Sequence, residues 1–498
     1  MFGLFKRKGG KASRTRFTRS FSAAEVSRIL APWQWDGGFS NQEIAVNLSV
    51  IRARSRDMQK NNEHYGRWLD LFVSNVVGDV GFTLIPKPAA VEGDPTKIDK
   101  PAAAFLKYHF WRWASNKKWT DVTGRKTFPA ICRLLAENWA RDGEGIAMLD
   151  THAQNPYGIS LRVIRPDALD EMANGKTSSG TVIRNGVEVD ERTLRPVYYC
   201  FRADKEDTTA VTIGLDGRKI QKVSADEILH VFTQHDECQT RGVPLGHASL
   251  KKLKMLDEYN VAELVAARDE SNTMGIFHAP VGQGGEIGEY DDEELRAMTM
   301  PSEAGTKLVL ENGWDYKTVT PSHPNRELTN FKNSMLRDIA SGLGVEYACF
   351  ANDFSGVSYS SIRAGTLAER DHWRTLQSQM IEQFVTPVFQ AWLASFLRLA
   401  ASKDYSIADY DRLSEHEFRG RRWEWVDPLK DVNASVIAVE HNWKTDEQIA
   451  ADYGCDIDDN IEDNSRTRSK AEDMGVLPKP TQTGGGEDGS GEDDAKKD

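Results

Sequence analysis

The spacing of hydrophobic residues changes along the first half of the chain. Apolar residues recur at helical spacing around Trp68 and Phe72, within 94–118 and over 128–141, and predict three helices. From about residue 145 the pattern becomes short alternating runs separated by Gly, Asn and Asp, which is typical of strands. An Asn-Gly pair in IRNGVEVD predicts a hairpin. Together these patterns favour an α+β fold.

Helical spacing returns in the second half. The pattern predicts one long amphipathic helix from Leu250 to about Ser271 and a second over 327–343, with a small mixed segment between them. The longest helix is expected from near Ser361 to Ala400, with a kink at Pro387. Its predicted apolar stripe consists of Trp373, Leu376, Met380, Phe384, Val388 and Phe396.

These helices are long for one small domain to cover. Neighbouring copies of the chain could cover their apolar stripes, and identical wedges packed head to tail close into a ring when the rotation permits. A two-domain protein with helical hairpins explains the same pattern equally well.

Composition is that of a globular chain. Hydrophobic residues make up 39% and charged residues 28% of the 498, and the net charge is −12. An acidic chain is not expected to coat nucleic acid, since that role requires a basic footprint. The N-terminal segment is nonetheless basic and is expected to be a flexible arm, while residues 478–498 are expected to form a disordered acidic tail. We expect no membrane span, and five scattered cysteines favour synthesis in a reducing cytoplasm.

No motif supports catalysis. The stretch Gly124–Thr127 lacks both the first glycine and the Gly-Lys pair of a phosphate-binding loop. Gly282–Gly288 precedes an acidic stretch that would repel phosphate. The segment beginning at Asp456 fails as a calcium loop, because Ile461 occupies the glycine position. His230 and His235 lie near Cys238, but the sequence offers no fourth ligand. We therefore expect no enzyme, no metal and no cofactor.

Four ordered blocks carry a resemblance. They are RSRDMQKNNEHYGRWLDLFVSNVVGDVGFTLIPKP (54–88), ANDFSGVSYSSIRAGTLAERDHWRTLQ (351–377), WEWVDPLKDVNA (423–434) and DEQIAADYGCDIDDNIED (446–463). In this order they resemble the lambda-type portal proteins of tailed bacteriophages. The second block matches that family at Asp353, Ser355, Gly356, Tyr359, Ser360, Ser361 and Arg363.

The resemblance implies a portal fold built from wing, stem, clip and crown. The expected division is a basic arm (1–39), a β-rich α+β wing (40–242), a stem helix (243–273), a clip (274–324), a second stem helix (325–344), a tunnel loop (345–360), a long kinked helix returning to the wing (361–404), a helical crown (405–477) and the acidic tail (478–498).

It also implies a function without catalysis. A ring of about 12 subunits would lie at one capsid vertex of the virion, as the channel for double-stranded DNA during packaging and ejection. Expected partners are further copies of the chain, the terminase large subunit, scaffold and major capsid protein, and a head–tail connector protein, with no membrane. A capsid or tail protein without a channel, or a packaging enzyme, are the alternatives.

Three sets of residues are candidates within this frame. The channel cations are expected to be Lys251, Lys252, Lys254, Lys332 and Arg337. The alternative is that these charges pair with a neighbouring subunit, for example with Asp257, Glu258 or Asp338. The tunnel loop is expected to present Asp353, Phe354, Ser355 and Gly356, unless these cap the long helix, for which Ser360 or Ser361 is a sound N-cap. Partner contacts at the clip are expected from Glu286, Glu289, Asp291 and Asp292, or these acids form a solvated loop.

Overall fold

A computed structural model describes residues 40–90, 97–178, 180–202, 220–272, 275–278, 315–318, 327–399, 404–423 and 428–476. The described chain mixes helices with antiparallel sheets, which confirms the α+β prediction. The N-terminal arm, the acidic tail and most of the expected clip lie outside the described residues.

The helices of the described chain are α1 Ser40–Asn61, α2 Glu63–Val76, α3 Lys100–Ala114, α4 Lys117–Thr120, α5 Phe128–Asp142, α6 His247–Asn272, α7 Leu328–Leu343, α8 Tyr347–Ala351, α9 Tyr359–Met380, α10 Thr386–Arg398, α11 Tyr410–Leu413, α12 Pro428–Glu440, α13 Asp446–Asp452 and α14 Ile457–Asp473. The helices predicted within 94–118, over 128–141, from Leu250 and over 327–343 are therefore confirmed as α3, α5, α6 and α7.

The strands are β1 Thr83–Pro86, β2 Glu144–Asp150, β3 Ser160–Ile164, β4 Gly175–Lys176, β5 Thr181–Arg184, β6 Val187–Asp190, β7 Pro196–Arg202, β8 Ile220–Ser224, β9 Ile228–Phe232, β10 Gly275–His278, β11 Asp315–Thr318 and β12 His416–Arg419. Among these strands the largest sheet has the order β4-β5-β6-β7-β8, and a second has the order β3-β2-β9. All their pairings are antiparallel. The run TTAVTIG (208–214), which belongs to the strand pattern after residue 145, lies outside the described residues.

The predicted hairpin is confirmed between β5 and β6. Asn185 has a φ of 51° and Gly186 a φ of 89°, which are the left-handed values that a tight two-residue turn requires. A side chain at position 186 is excluded for a second reason, because its Cβ would lie 2.5 Å from the carbonyl oxygen of Asp170. The turn is thus fixed by sequence and by close packing together.

Aromatic rings form the centre of the main core. Phe72 on α2 lies edge-on to Trp139 on α5 and to Trp373 on α9, with ring centroids 5.5 and 5.8 Å apart. Phe110 on α3 makes the same kind of contact with Trp392 on α10, at 5.3 Å. Edge-to-face pairs at this spacing stabilise beyond the area they bury. The core therefore joins the first helices of the chain to the longest one.

The longest helix contains one irregular turn. It runs as α9, then as a single π-helical turn over Ile381–Val385, then as α10. Pro387 has no N–H, so it cannot bond to the carbonyl four residues earlier, and the chain widens just before it. All six residues of the predicted stripe are buried, which confirms that prediction.

The long helix bonds to an edge strand at and just before its π turn. Gln379 donates from Nε2 to the carbonyl oxygen of Phe232, at 2.8 Å, and Gln383 accepts from the amide of Phe232, at 3.0 Å. Phe232 ends β9, whose outer edge pairs with no strand among the described residues. Two side chains of the long helix thus take the place of a neighbouring strand at that residue.

Two predictions near the C-terminal end were wrong in detail. The region 405–477 is not wholly helical, since it contains β12, which pairs antiparallel with β1. Thr83 lies opposite Arg419 at one end of this pairing, and Pro86 lies opposite His416 at the other. The long helix begins at Tyr359, and its N-cap is Ser358 rather than Ser360 or Ser361. Three serines so close together are chemically equivalent caps, so sequence alone could not choose among them.

Candidate functional site

Two helices, α6 and α7, form an antiparallel hairpin. Ser249 Oγ donates to the carbonyl oxygen of Ile339 at 3.4 Å near one end, and the rings of Tyr259 and Phe331 lie 5.4 Å apart near the other. Residue numbers rise along α6 as they fall along α7, which fixes the antiparallel direction. At 26 residues, α6 is about 39 Å long. This hairpin contains every channel cation predicted from the sequence.

The far half of α6 leaves the core. Leu250, Leu253 and Leu256 are buried at its start, but no described side chain after Leu256 is. Beyond that point Val261, Leu264 and Val265 are 56%, 71% and 52% exposed. Exposed apolar residues grouped on one helix mark an interaction surface. We call Val261, Leu264 and Val265 the α6 apolar face.

Two of the five predicted channel cations pair with carboxylates within the chain. Lys252 Nζ lies 3.2 Å from Asp338 Oδ2 across the hairpin, and Lys254 Nζ lies 3.7 Å from Glu258 Oε1 one turn along α6. Lys251 is exposed and forms no ion pair with the described residues. The pairing that we considered with a neighbouring subunit thus occurs, for two of these lysines, inside one subunit.

Arg337 joins α7 to the predicted tunnel loop. Its guanidinium lies over the ring of Tyr347, 4.7 Å from the centroid, and the Tyr347 hydroxyl donates to Asp353 Oδ2 at 2.8 Å. Burial raises the pKa of Tyr347, and the carboxylate of Asp353 raises it further. Hydrogen bonds from the Ser355 and Tyr347 side chains lower the pKa of Asp353, so this carboxylate stays charged. The structure therefore brings together Arg337, Asp353 and Ser355.

Sequence reasoning missed Tyr347, the residue that links these groups. It follows Glu346 in a short helix, and nothing in its spacing distinguishes it from other aromatic residues. Lys332 stands apart from this set. It is half-buried on α7. Burial of His64 on α2 lowers the pKa of that histidine, and the positive charge of Lys332 lowers it further.

The predicted tunnel loop is partly helical. Its first residues form α8, where Ala348 and Phe350 are buried, and Asn352 ends that helix in the left-handed region at a φ of 52°. The exposed part therefore begins at Asn352 and ends at Ser358. Phe354 at its tip is 55% exposed, and Gly356 adopts a φ of 71°.

Asp353 closes this loop but caps no helix. Its Oδ1 accepts from the Ser355 amide at 3.0 Å, which is a local turn. The hydroxyl oxygen of Ser358 accepts a hydrogen bond from the amide of Ser361 at 3.2 Å. The hydroxyl oxygen of Ser361 accepts one from the amide of Ser358 at 3.1 Å. This reciprocal pair is a capping box. The alternative that residues 353–356 cap α9 is therefore wrong, and their role at a constriction stays a prediction.

The base of the loop is held on both sides. A Cβ at Gly365 on α9 would lie 2.9 Å from Cγ of Glu346, and a Cβ at Gly344 would lie 3.0 Å from Nε2 of His372. Trp68 also donates from Nε1 to the carbonyl oxygen of Leu343, at 3.3 Å. Close packing therefore fixes where the loop leaves the core.

A buried ion cluster positions the start of α6. Glu144 at the start of β2 accepts from Arg241 Nε at 2.7 Å, from Arg52 Nη2 at 2.7 Å and from the amide of Gly242 at 2.7 Å. The three side chains are at most 1% exposed. Burial alone would raise the pKa of Glu144, but attraction to Arg241 and Arg52 outweighs it and holds this pKa well below its usual range.

Arg241 also reaches the five-stranded sheet. Its Nη1 donates to the carbonyl oxygen of Asn185 at 2.8 Å and to that of Leu169 at 3.3 Å, and its Nη2 donates to that of Pro166 at 3.2 Å. One guanidinium thus connects both sheets immediately before α6. We call Arg52, Glu144 and Arg241 the buried ion cluster. Sequence reasoning missed it because its members lie about a hundred residues apart or more and charged residues are usually exposed.

Other candidates can be placed briefly. The predicted clip acids Glu286, Glu289, Asp291 and Asp292 lie outside the described residues. The side chain of His230 is 4% exposed, with Nε2 3.5 Å from Glu144 Oε1. Across the described ranges we find no group of three or more His, Cys, Asp or Glu side chains arranged for a metal ion. No helix in the same ranges combines the length and apolar character needed to cross a bilayer.

The chain is similar in sequence to a known protein family and to several of its members. Residues 27–377 match the family described as phage portal protein, lambda family. A probable portal protein of Halomonas phage phiHAP-1 is 29% identical over 446 residues, covering 89% of this chain and 85% of that protein. Portal protein B of Escherichia phage lambda is 22% identical over 494 residues, covering 90% and 89%. A solved chain from the neck of an empty GTA particle is 14% identical, with a TM-score of 0.44, and covers 82% of this chain and 93% of that one.

Proposed function

The chain belongs to the lambda family of phage portal proteins, and from this we propose that it assembles into a ring at one vertex of the capsid. Portal proteins are structural rather than enzymatic, so the proposed role is a passage and a docking surface. Double-stranded DNA would enter through the ring during packaging and leave through it during ejection. The ring number is expected to be about 12.

The observation that carries this proposal is the family match together with the α6 apolar face. In a single chain this face is open to water over the half of α6 that projects from the core. A neighbouring copy packed against it would remove that apolar surface from water, and a head-to-tail contact of this kind closes into a ring when the rotation permits. The α6–α7 hairpin would then line or surround the passage.

The charge distribution favours a channel through which DNA slides rather than a site that binds DNA tightly. Each Lys or Arg that neutralises a phosphate adds to salt-dependent affinity, and strong affinity would oppose sliding. Two of the predicted channel lysines are already paired with carboxylates in the chain. Lys251, Lys332 and Arg337 would then be the cations of this set that steer DNA, with Asp353 and Phe354 near the constriction.

The remaining partners follow from the same role. The ring would receive the terminase large subunit during packaging, scaffold and major capsid protein during assembly, and a head–tail connector protein afterwards. The chain would be made in the cytoplasm of the bacterial host and reside in the virion.

The test is a double substitution on the α6 apolar face. We expect Val261→Glu with Leu264→Glu to abolish the ring, measured by light scattering and negative-stain imaging. Far-UV circular dichroism should stay unchanged, because neither side chain is buried. Met172→Glu, at a residue 59% exposed in a turn of the β-rich region, is the control and should leave the ring intact. A ring that survives the double substitution would contradict this assignment of the interface.

A further inference from the structure

One stretch of this acidic chain is strongly basic. Residues 97–126, which include α3 and α4, contain eight Lys or Arg and two acids, whereas the whole chain has a net charge of −12. Both acids already have hydrogen-bond partners. Asp99 accepts from Arg412 at 2.9 Å, and Asp121 is buried and accepts from the amides of Arg125 and Lys126 at 3.1 Å. The positive charge of this stretch is therefore not cancelled within it.

An acidic helix lies across from α3. Residues 456–465, at the start of α14, contain five acids and no Lys or Arg. Lys100 Nζ lies 3.1 Å from Asp458 Oδ1, and Lys107 pairs with Asp459. Because Lys100 and Lys107 are two helical turns apart, they share one face of α3. We call this the α3 basic face.

The two helices are paired but not packed together. Helix α14 is described along its full length, and none of its side chains is buried. An open cleft of about 1260 Å³ separates it from α3, with Tyr108 62% exposed and Ile461 60% exposed. Apart from these two ion pairs, the described residues give no hydrogen bond or salt bridge between the helices.

Helix α14 is anchored at one end. Arg419 on β12 donates to the carbonyl oxygen of Cys455 at 2.6 Å, just before the helix begins. Gly454 precedes that point with a φ of 78°, a conformation that other residues rarely adopt. Exposed ion pairs contribute little and are screened by salt. The contact between α14 and α3 is therefore one that a competing polyanion can displace.

We propose that the α3 basic face binds the phosphate backbone of double-stranded DNA and that α14 screens this face until DNA displaces it. The contact uses elements other than the α6–α7 hairpin, so it goes beyond the proposed passage and needs only that DNA is nearby. Lys100 and Lys107 contact phosphates once Asp458 and Asp459 release them. Tyr108, exposed next to Lys107, then faces the DNA backbone.

The experiment measures binding of a labelled 30-base-pair duplex to the full-length protein by fluorescence anisotropy, at several salt concentrations. We expect Asp458→Asn with Asp459→Asn to tighten binding at least threefold at low salt. The matched control is Glu472→Gln with Asp473→Asn, which changes net charge equally at the far end of α14. It should change the affinity by less than half of that factor.

A second pair of substitutions locates the effect. Adding Lys100→Gln and Lys107→Gln to the Asp458→Asn, Asp459→Asn protein should remove the gain and make the salt dependence shallower. Lys60→Gln with Lys176→Gln, added to the same background, should not. A gain that survives loss of Lys100 and Lys107, or that the far-end control reproduces, would overturn the proposal.

Hydrogen exchange tests displacement directly. Adding the duplex to the unmodified protein should speed exchange of the α14 amides and slow exchange near α3. Unchanged α14 exchange under saturating DNA would also overturn the proposal. Light scattering on the same samples reports ring assembly, so a failure of the proposed ring is distinguishable from a failure of this contact.

Discussion

Replacing Glu144 by Gln should destabilise the protein severely. The side chain is fully buried and holds two guanidinium groups, from Arg52 and Arg241, that are themselves at most 1% exposed. Glutamine keeps the shape but removes the charge. Its amide nitrogen also cannot accept the hydrogen bonds that one of the two carboxylate oxygens now receives.

The magnitude follows from what remains buried. Removing one partner of a buried ion pair costs about 3–5 kcal/mol, because the other charge is left without compensation. Here two cations lose their shared anion, although the carbonyl oxygens of Asp142 and Asn185 still accept from them at 2.8 Å. We therefore expect a loss of about 3–5 kcal/mol in the free energy of unfolding.

The assay is urea unfolding followed by circular dichroism, with Glu417→Gln as the control. Glu417 also accepts from two cations, Lys87 at 2.6 Å and Arg419 at 2.8 Å, but its side chain is 39% exposed. Exposed pairs contribute about 0–1 kcal/mol, so the control should cost no more than that. If Glu144→Gln costs no more than Glu417→Gln, the buried ion cluster does not stabilise the fold as argued.

Three further results are expected. The fold depresses the pKa of Glu144, so the stability that this carboxylate contributes is complete above its unfolded pKa of about 4.3. That stability falls as the pH drops through the folded pKa. Unfolding measured across acid pH should show this loss in the unmodified protein and not in Glu144→Gln. Gly242→Ala should prevent correct folding, since its Cβ would lie 2.0 Å from the carbonyl oxygen of Gly143. In Gly66→Ala, inside α2, the Cβ would lie 3.7 Å from the nearest atom, the carbonyl oxygen of Gln59, so this substitution should stabilise the protein by about 0.5–1 kcal/mol in thermal unfolding. Ser358→Ala should cost about 0.5–2 kcal/mol and speed hydrogen exchange in the first turn of α9 only, and unchanged exchange there would contradict the capping assignment.

Periodicity and turn chemistry predicted the local structure well. The apolar stripe of the long helix and the Asn185–Gly186 turn could both be read from the sequence, because each depends on residues close together in the chain. The π turn before Pro387 could not, because proline predicts an irregularity without fixing its form. Gln383 within this turn and Gln379 just before it bond to Phe232, a contact that no local pattern encodes.

The candidate site was predicted less completely. Motif resemblance identified Asp353 and Ser355, and helical spacing placed Arg337, but neither indicated that Tyr347 joins them. The buried ion cluster carried no local signal at all. Its charges are stable in the core only because the fold brings Arg241 to Glu144, and no pattern along the chain encodes that meeting.

Cation placement shows the same limit. The sequence placed Lys252 near the start of a predicted helix, but its pairing with Asp338 depends on how α7 packs against α6. Opposite charges on neighbouring helices are too common in a chain with 75 acidic residues for spacing to select one pair. The distinction between a steering cation and a paired one therefore required the structure.

Negative-stain imaging of the purified protein, with its mass measured by light scattering, tests the central claim most directly. The account predicts a ring of many 55.8 kDa subunits around a central hole wide enough for a DNA duplex. A compact closed particle without a hole would contradict it.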